Sequence, residues 1–343
     1  MMSDLQERRL QRLADELADN GLAPNADLES WAILLEEVDH ALRPTVHERK
    51  AASSGTVLEP KTVPDNWAVG TELHIARMPA ARRTTAFSRR YTDGLSSWLV
   101  RYSDSRDDEW LLFDRSAGSE RDLVVLADAL GATIVQRHPS GTVRVVGAFG
   151  VLRWEGLVWH HEPPVGAWVG TFASLPSIGD PGVLKAMLAF AVHDLGSLGI
   201  GAVLVYRPSP SPARSIEERL PVPPPLNIRK VSHLAPLRHA LAQLDGAAIF
   251  DGDGVLRQLG VHLVPSRTAE AEVSALGGTR HTSALRYSFD DPTATVVVVS
   301  EDGPVSVLRN GSILGRSAQD HLIEPLWSPG QWPSNGDHAP MSR

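Results

Sequence analysis

The sequence predicts a mixed α/β protein of the α+β kind, built in two parts. A smaller α+β domain with N-terminal helices precedes a mixed central sheet flanked by helices. Three observations carry this. Two helical repeats of apolar residues open the chain, at Leu5, Leu10, Leu13 and Leu17 and then at Trp31, Leu34, Leu35, Val38 and Leu42. Short alternating runs such as Trp98–Tyr102 and Trp110–Phe113 follow, as half-buried strands do. Beyond residue 184 an apolar helix is followed by a strand that is apolar at every position, the signature of a sheet covered on both faces.

Composition narrows the classes. A chain of 343 residues has room for two domains. A net charge of -8 argues against nucleic acid as a partner, because neutralising phosphates takes a basic surface. The chain has no cysteine, so disulfides, thiolate nucleophiles and Cys-ligated zinc are excluded, and a reducing compartment is expected. No apolar run reaches the roughly 18–20 residues that span a bilayer, and Met1–Arg9 lacks the apolar core of a signal peptide. We therefore expect no membrane and a cytoplasmic location.

Taken in order, residues 1–50 read as a helical segment. One helix covers Ser3–Asp19, with Asn20-Gly21 as its stop; the second covers Asp27–Leu42 and ends before Pro44. Ala51–Asn66, with Ser53-Ser54-Gly55 and two prolines, reads as a linker or surface loop. Residues 67–173 read as an α+β domain. Its strands are Trp98–Tyr102, Trp110–Phe113, Thr133–Arg137, Thr142–Val146 and Val151–Trp154, with a turn at Pro139-Ser140-Gly141. Its helix spans Ser119–Gly131, and Ser119 with Asp122 three residues on approximates a capping box.

This domain carries little chemistry. His138, His160 and His161 invite a metal, but neighbours on a strand point to opposite faces, so a surface loop is the plainer reading. Trp154, Trp159 and Trp168 line a pocket or belong to a core. The Arg82-Arg83 and Arg89-Arg90 pairs are a solvated loop or an anion site.

The turn-rich Ser174–Gly182 marks a boundary. Leu184–Leu198 is an apolar helix and Ile200–Tyr206 a buried strand. Arg207–Pro225 holds seven prolines and reads as an insertion loop. Val231–Gln243 is helical. After Asn310 come Ile313-Leu314 and a helical candidate at Ala318–Ile323. The tail 328–343 has little to bury and is expected to be disordered.

The informative stretch is Ala235–Asn310. Asp245 precedes Gly246, Ala247 and the strand Ala248–Phe250. It is a solvated strand cap, or an acid beside small residues that let a nucleotide approach. Asp251-Gly252-Asp253-Gly254 is a hairpin turn before Val255–Val264. Gly277-Gly278-Thr279-Arg280-His281-Thr282 leads into a helix expected to begin near Thr282, whose free N–H groups suit an anion. Arg280 adds a planar fork for phosphate. Val296–Val299 is a buried strand ending in Ser300-Glu301, and polar residues just past such a strand are a usual ligand position.

Together, Gly201-Ala202, Asp245-Gly246-Ala247, Gly278-Thr279-Arg280-His281, Ser300-Glu301 and Asn310-Gly311 resemble the diadenylate cyclase (DisA_N, or DAC) domain family over residues 180–315. The resemblance implies two ATP molecules condensed into cyclic di-AMP, with Mg²⁺ or Mn²⁺ as cofactor. It implies Asp245, Arg280 and His281 as catalytic residues. Gly246, Ala247, Gly278, Thr279, Thr282 and Ser300 would bind ATP, and Asp245 with Glu301 would hold the metal. It also implies a homo-oligomer, at least a transient dimer of catalytic domains. The preceding part resembles, in position only, the sensor domains of some family members. Two positions depart from the family: Thr282 stands where a second arginine is usual, and Leu244 where many members have histidine. A nucleotide-binding module without turnover and a nucleotidyltransferase with another product are the alternatives.

Overall fold

In the computed structural model, residues 4–22, 28–80, 84–104, 106–176, 178–209, 216–217, 220–302 and 304–317 are described. They form two mixed sheets, each with helices on both faces. The fold class is the one the sequence predicts.

The first sheet has eight strands. Helices α1 (Asp4–Asp19) and α2 (Leu28–Leu42) open the chain. A small hairpin of β1 (Val46–His47) and β2 (Lys50–Ala51) leads into β3 (Ser54–Leu58). Next come α3 (Trp67–Thr71), β4 (Ile75–Pro79), α4 (Thr85–Ser88), β5 (Ser97–Arg101) and β6 (Glu109–Phe113). Helix α5 (Glu120–Leu130) and the meander β7 (Thr133–Arg137), β8 (Val143–Gly147), β9 (Gly150–Trp154) and β10 (Trp159–Glu162) complete the unit. The strand order is β10-β9-β8-β7-β3-β5-β6-β4, with only the β3–β5 pairing parallel.

One apolar face packs on α1 and α2, the other on α3 and α5. Helix α5 begins where expected, because Ser119 and Asp122 each satisfy the other's backbone N–H in a capping box, and Gly131 at φ 59 ends it.

Ala51–Asn66 corrects the linker expectation. β3 lies inside it, buried at all five positions and central in the sheet. Its polar residues concealed it. Thr56 is buried because its hydroxyl donates to Glu37 at 2.8 Å, and Gly55 is required because a Cβ there would sit 2.4 Å from Gly94 Cα. The helical segment 1–50 and the domain expected at 67–173 therefore share one packed sheet.

Other expectations for this unit change as well. Trp154 and Trp159 pack against each other, 5.5 Å between centroids, in the core beneath α1 and α2. Arg89 is neither solvated nor an anion site: it is bound to Glu36 at 2.9 Å and Glu37 at 2.6 Å. Residues 81–83 lie outside the described residues. His160 and His161 sit on edge strand β10, not in a loop, and the His161 ring bonds the Phe149 carbonyl at 2.9 Å.

The second sheet has seven strands in the order β12-β14-β13-β11-β15-β16-β17. They are β11 (Ala202–Tyr206), β12 (Ile216–Glu217), β13 (Ala247–Phe250), β14 (Leu256–Leu263), β15 (Thr295–Val299), β16 (Val305–Arg309) and β17 (Ser312–Arg316). Only β11 and β13 run parallel; the other neighbours are antiparallel. β11, β13 and β15 are buried at every position, as their uninterrupted apolar runs predict.

Helices α6 (Val165–Phe172), α7 (Pro181–Phe190) and α8 (Val231–Leu241) cover one face of this sheet. Helix α10 (Thr279–Asp290) covers the other, with the short α9 (Arg267–Glu272) beside it. Because Val165, Val169 and Phe172 of α6 pack into this second core, a divide at 174–182 falls inside it. The Ala318–Ile323 helix and the 328–343 tail lie outside the described residues.

Candidate functional site

The site forms where the N-terminal ends of β11 and β13 meet the C-terminal end of β15 and the first turn of α10. Gly246 has φ 102, and a Cβ there would lie 2.6 Å from Gly260 C and 2.9 Å from Val261 O. Only glycine lets the chain turn beneath β14 at that spot, and the turn leaves Asp245 projecting, its side chain 95% exposed.

Helix α10 starts at Thr279, three residues before the expected start near Thr282. Gly277 at φ 56 and Gly278, extended, allow the early start. Thr279, Arg280 and His281 thus occupy the first turn, and no side chain caps it. Arg280 reaches across to both acids: Nη1 donates to Glu301 Oε1 at 2.8 Å, and Nη2 lies 3.6 Å from Asp245 Oδ1. Gly201 makes room, since a Cβ there would fall 2.2 Å from Arg280 Nη1 and 2.8 Å from Glu301 Cγ. Three segments far apart in sequence therefore converge through one guanidinium.

The remaining expected residues divide. Gly278 and Thr279 are exposed at the helix start. Ala247 is buried in β13, under the site and facing the α10 side. Ser300 is half-buried at the turn after β15, its N–H donating to Pro304 O at 2.9 Å. Thr282 is turned inward: its hydroxyl accepts from Leu276 N–H at 3.1 Å and contacts Leu276 O at 3.3 Å, tying the glycine loop to the helix.

His281 Nε2 is buried with no protein partner. Burial, and then the charges of Arg316 and Arg280, hold this ring below the usual imidazole range, which favours its neutral form. Arg316 is a residue that sequence reasoning missed. Its partner across β16 is Ser306, which pairs with Val298 on the α10 face of the sheet. In sequence it only follows the short apolar pair Ile313-Leu314, so nothing there relates it to His281.

The residues here with oxygens suited to a divalent cation are Asp245 and Glu301. They supply hard carboxylate oxygens, and both contact Arg280. Magnesium commonly takes one or two protein carboxylates and completes its shell with phosphate oxygens and water. Among the described residues no group of three or more His, Cys, Asp or Glu is arranged for a metal, so a metal here would need the nucleotide's own oxygens.

A cavity of ≈ 690 Å³ lies elsewhere, at the C-terminal ends of β11 and β13, lined by Arg207, Phe250, Asp251 and Pro223 among others. It does not include Asp245 or Arg280. No helix among the described residues is long and apolar enough to cross a membrane.

A mixed sheet with two acids, an arginine and an open helix start at one end offers a candidate anion site. The comparisons with known proteins are more specific. Residues 190–313 match the DAC family, described as DisA bacterial checkpoint controller nucleotide-binding. Residues 11–162 match the family described as probable sensor domain DACNK. The chain thus carries a segment that matches the DACNK family ahead of a segment that matches the DAC family.

Among solved structures, the chain is similar to a hypothetical membrane spanning protein from Bacillus cereus, with 22% identity and a TM-score of 0.34 over 44% of this chain and 70% of that one. It is also similar to a double mutant of DacA from Staphylococcus aureus, with 23% identity and a TM-score of 0.28 over 40% of this chain and 86% of that one. No curated protein sequence matches it.

Proposed function

We propose that this protein is a diadenylate cyclase, condensing two ATP molecules into cyclic di-AMP and two pyrophosphates in the cytoplasm. The observation that carries the reading is the convergence of Asp245 and Glu301 on Arg280 at the first turn of α10, inside the segment that matches the DAC family. In this reading the triphosphate lies against the α10 N-terminus, where the unpaired N–H groups and the helix dipole favour negative charge. Arg280 leaves its acids to bind phosphate oxygens, and neutral His281 offers a ring nitrogen beside them. Asp245 accepts the proton of the attacking 3′-hydroxyl. Asp245 and Glu301 would hold Mg²⁺ or Mn²⁺, which supplies charge neutralisation at the phosphates.

Two phosphodiester bonds must form. In each, a 3′-oxygen attacks the α-phosphorus of the other nucleotide, pyrophosphate leaves and one proton is released. A single site holding one ATP cannot bring the second α-phosphate in line. Two catalytic domains facing each other, each with its own ATP, satisfy both attacks at once. The exposure of Asp245 at 95% and Glu301 at 69% suits such an arrangement, since a partner and two nucleotides would cover them.

The inward turn of Thr282 favours a second reading, nucleotide binding without turnover, because no second cation replaces the family's arginine at that position. One experiment separates the readings, and also detects a different nucleotidyl product. The purified protein is incubated with ATP and Mg²⁺ or Mn²⁺, and the products are identified by mass spectrometry. We expect cyclic di-AMP, reduced about 10²-fold or more in Asp245→Asn. ATP binding with no cyclic di-AMP from the native protein would overturn the cyclase assignment.

A further inference from the structure

The two sheets meet at a buried ionic cluster that adjoins the nucleotide site through a single backbone turn. Helix α7 does not end at Phe190; it widens into a π-helical turn, Ala191–Leu195, buried at every position. Such turns are rare and recur at functional sites. Its two polar side chains face the N-terminal domain. His193 Nδ1 lies 2.8 Å from Glu120 Oε1, and Arg121 donates to Asp194. Glu120 and Arg121 are the first two residues of α5, fixed by the Ser119 capping box. Arg153 of β9 also donates to Glu120, at 2.7 Å, while Arg238 of α8 lies 3.9 Å from Asp194.

The other side of the same turn reaches the site. Ala191, Val192 and Leu195 share a core with Val297 and Val299 of β15, the strand that presents Ser300 and Glu301. The chain continues through a single 3₁₀ turn, Gly196–Leu198, and is stitched back by Ile200 N–H to Leu195 O at 3.0 Å. Gly199, at φ 66, then passes so close to the Glu301 carbonyl that a Cβ would lie 3.2 Å from it, and Gly201 lies against Arg280 and Glu301 as described above. A shift of the π-helical turn has little slack to absorb it before Gly201.

We propose that Glu120 and Arg121 of the N-terminal domain are positioning residues for Arg280 and Glu301. They act through His193, Asp194 and the Gly199–Gly201 turn, so that a change at the start of α5 is felt at the nucleotide. The inference rests on the nucleotide-site reading above, and its test is chosen so that the two fail separately.

The test uses the full-length protein and two pairs of variants. Arg121→Ala removes the cation that meets Asp194, and Arg121→Lys keeps one. His193→Ala removes the donor that meets Glu120, and His193→Asn keeps an amide donor near the Nδ1 position. Hydrogen exchange of peptides spanning 196–201 is measured with and without a non-hydrolysable ATP analogue, alongside cyclic di-AMP turnover and the melting temperature. The two alanine variants should lose protection in 196–201 while β7–β9 keep theirs. Their turnover should fall about tenfold or more, and the lysine and asparagine variants should stay near the native protein. Alanine variants that melt like the native protein and keep both protection and turnover overturn the proposal. So does a conservative variant that loses as much as its alanine counterpart, or exchange that rises across the whole first sheet. If the native protein makes no cyclic di-AMP, the exchange measurements still decide whether α5 positions the Gly199–Gly201 turn.

Discussion

Glu162 gives the sharpest quantitative test of how the two sheets are joined. Its side chain is buried on edge strand β10, 3.7 Å from Arg153 and beside Ser317 at the end of the second sheet, and its Oε2 has no hydrogen-bond partner. Burial is the largest influence and raises its pKa; Arg153 opposes it, Glu120 adds to it, and the result is a value pushed up to about 7 from an ordinary 4.5. The sign follows from linkage. The folded chain binds this proton more tightly than the unfolded chain, so the group's contribution to stability is flat below about pH 4.5. It falls as pH rises toward 7, then is flat again.

The displacement corresponds to about 3 kcal/mol of stability lost across that window. Glu162→Gln keeps the shape and removes the titration. Urea denaturation of both proteins at pH 4.5, 6 and 8 should show the variant gaining on the native protein by about 3 kcal/mol between the ends of the range. A stability difference that stays constant within about 0.5 kcal/mol from pH 4.5 to 8 would refute the reasoning. It would mean that Arg153 satisfies the carboxylate fully, or that water reaches it.

Two further substitutions test the local arguments. Gly246→Ala should cost about 2–5 kcal/mol, combining backbone strain at positive φ with a Cβ driven into the β14 backbone, and chemical denaturation reads it directly; a cost under about 0.5 kcal/mol would show that the turn relaxes. It should also depress turnover, because Asp245 is the adjoining residue. Ser119→Ala removes half of the α5 capping box and should lower stability by about 1 kcal/mol, seen as a shifted urea midpoint with an unchanged m-value; an unshifted midpoint would deny the cap its role.

The candidate site rests on the order of its motifs more than on any one of them. Asp245-Gly246-Ala247 and the glycine loop before Arg280 could each have been an ordinary cap or turn. What gave them meaning was co-occurrence at the spacing of one family. The structure adds that Arg280 touches both acids, a fact of side-chain reach across strands that no linear pattern contains. Thr282 shows the limit most clearly. Its hydroxyl read as a phosphate donor, yet an early helix start turns it onto Leu276. Residues 51–66 failed for a related reason. Ser54, Gly55 and Thr56 look like a loop until Glu37 and the close backbone of Gly94 supply what makes them a central strand.

Taken alone, the sequence determined the periodic features: two opening helices, the α5 cap, the three fully apolar strands and the glycines that permit tight turns. These depend on neighbours within a few residues, whose interactions repeat with the helix or strand period. Tertiary structure decided which charges meet. Glu120, Arg153, His193 and Glu162 are scattered along the chain, and no motif or spacing links them. Only folding brings them into one dry interface, where lost hydration makes their pairing energetically consequential.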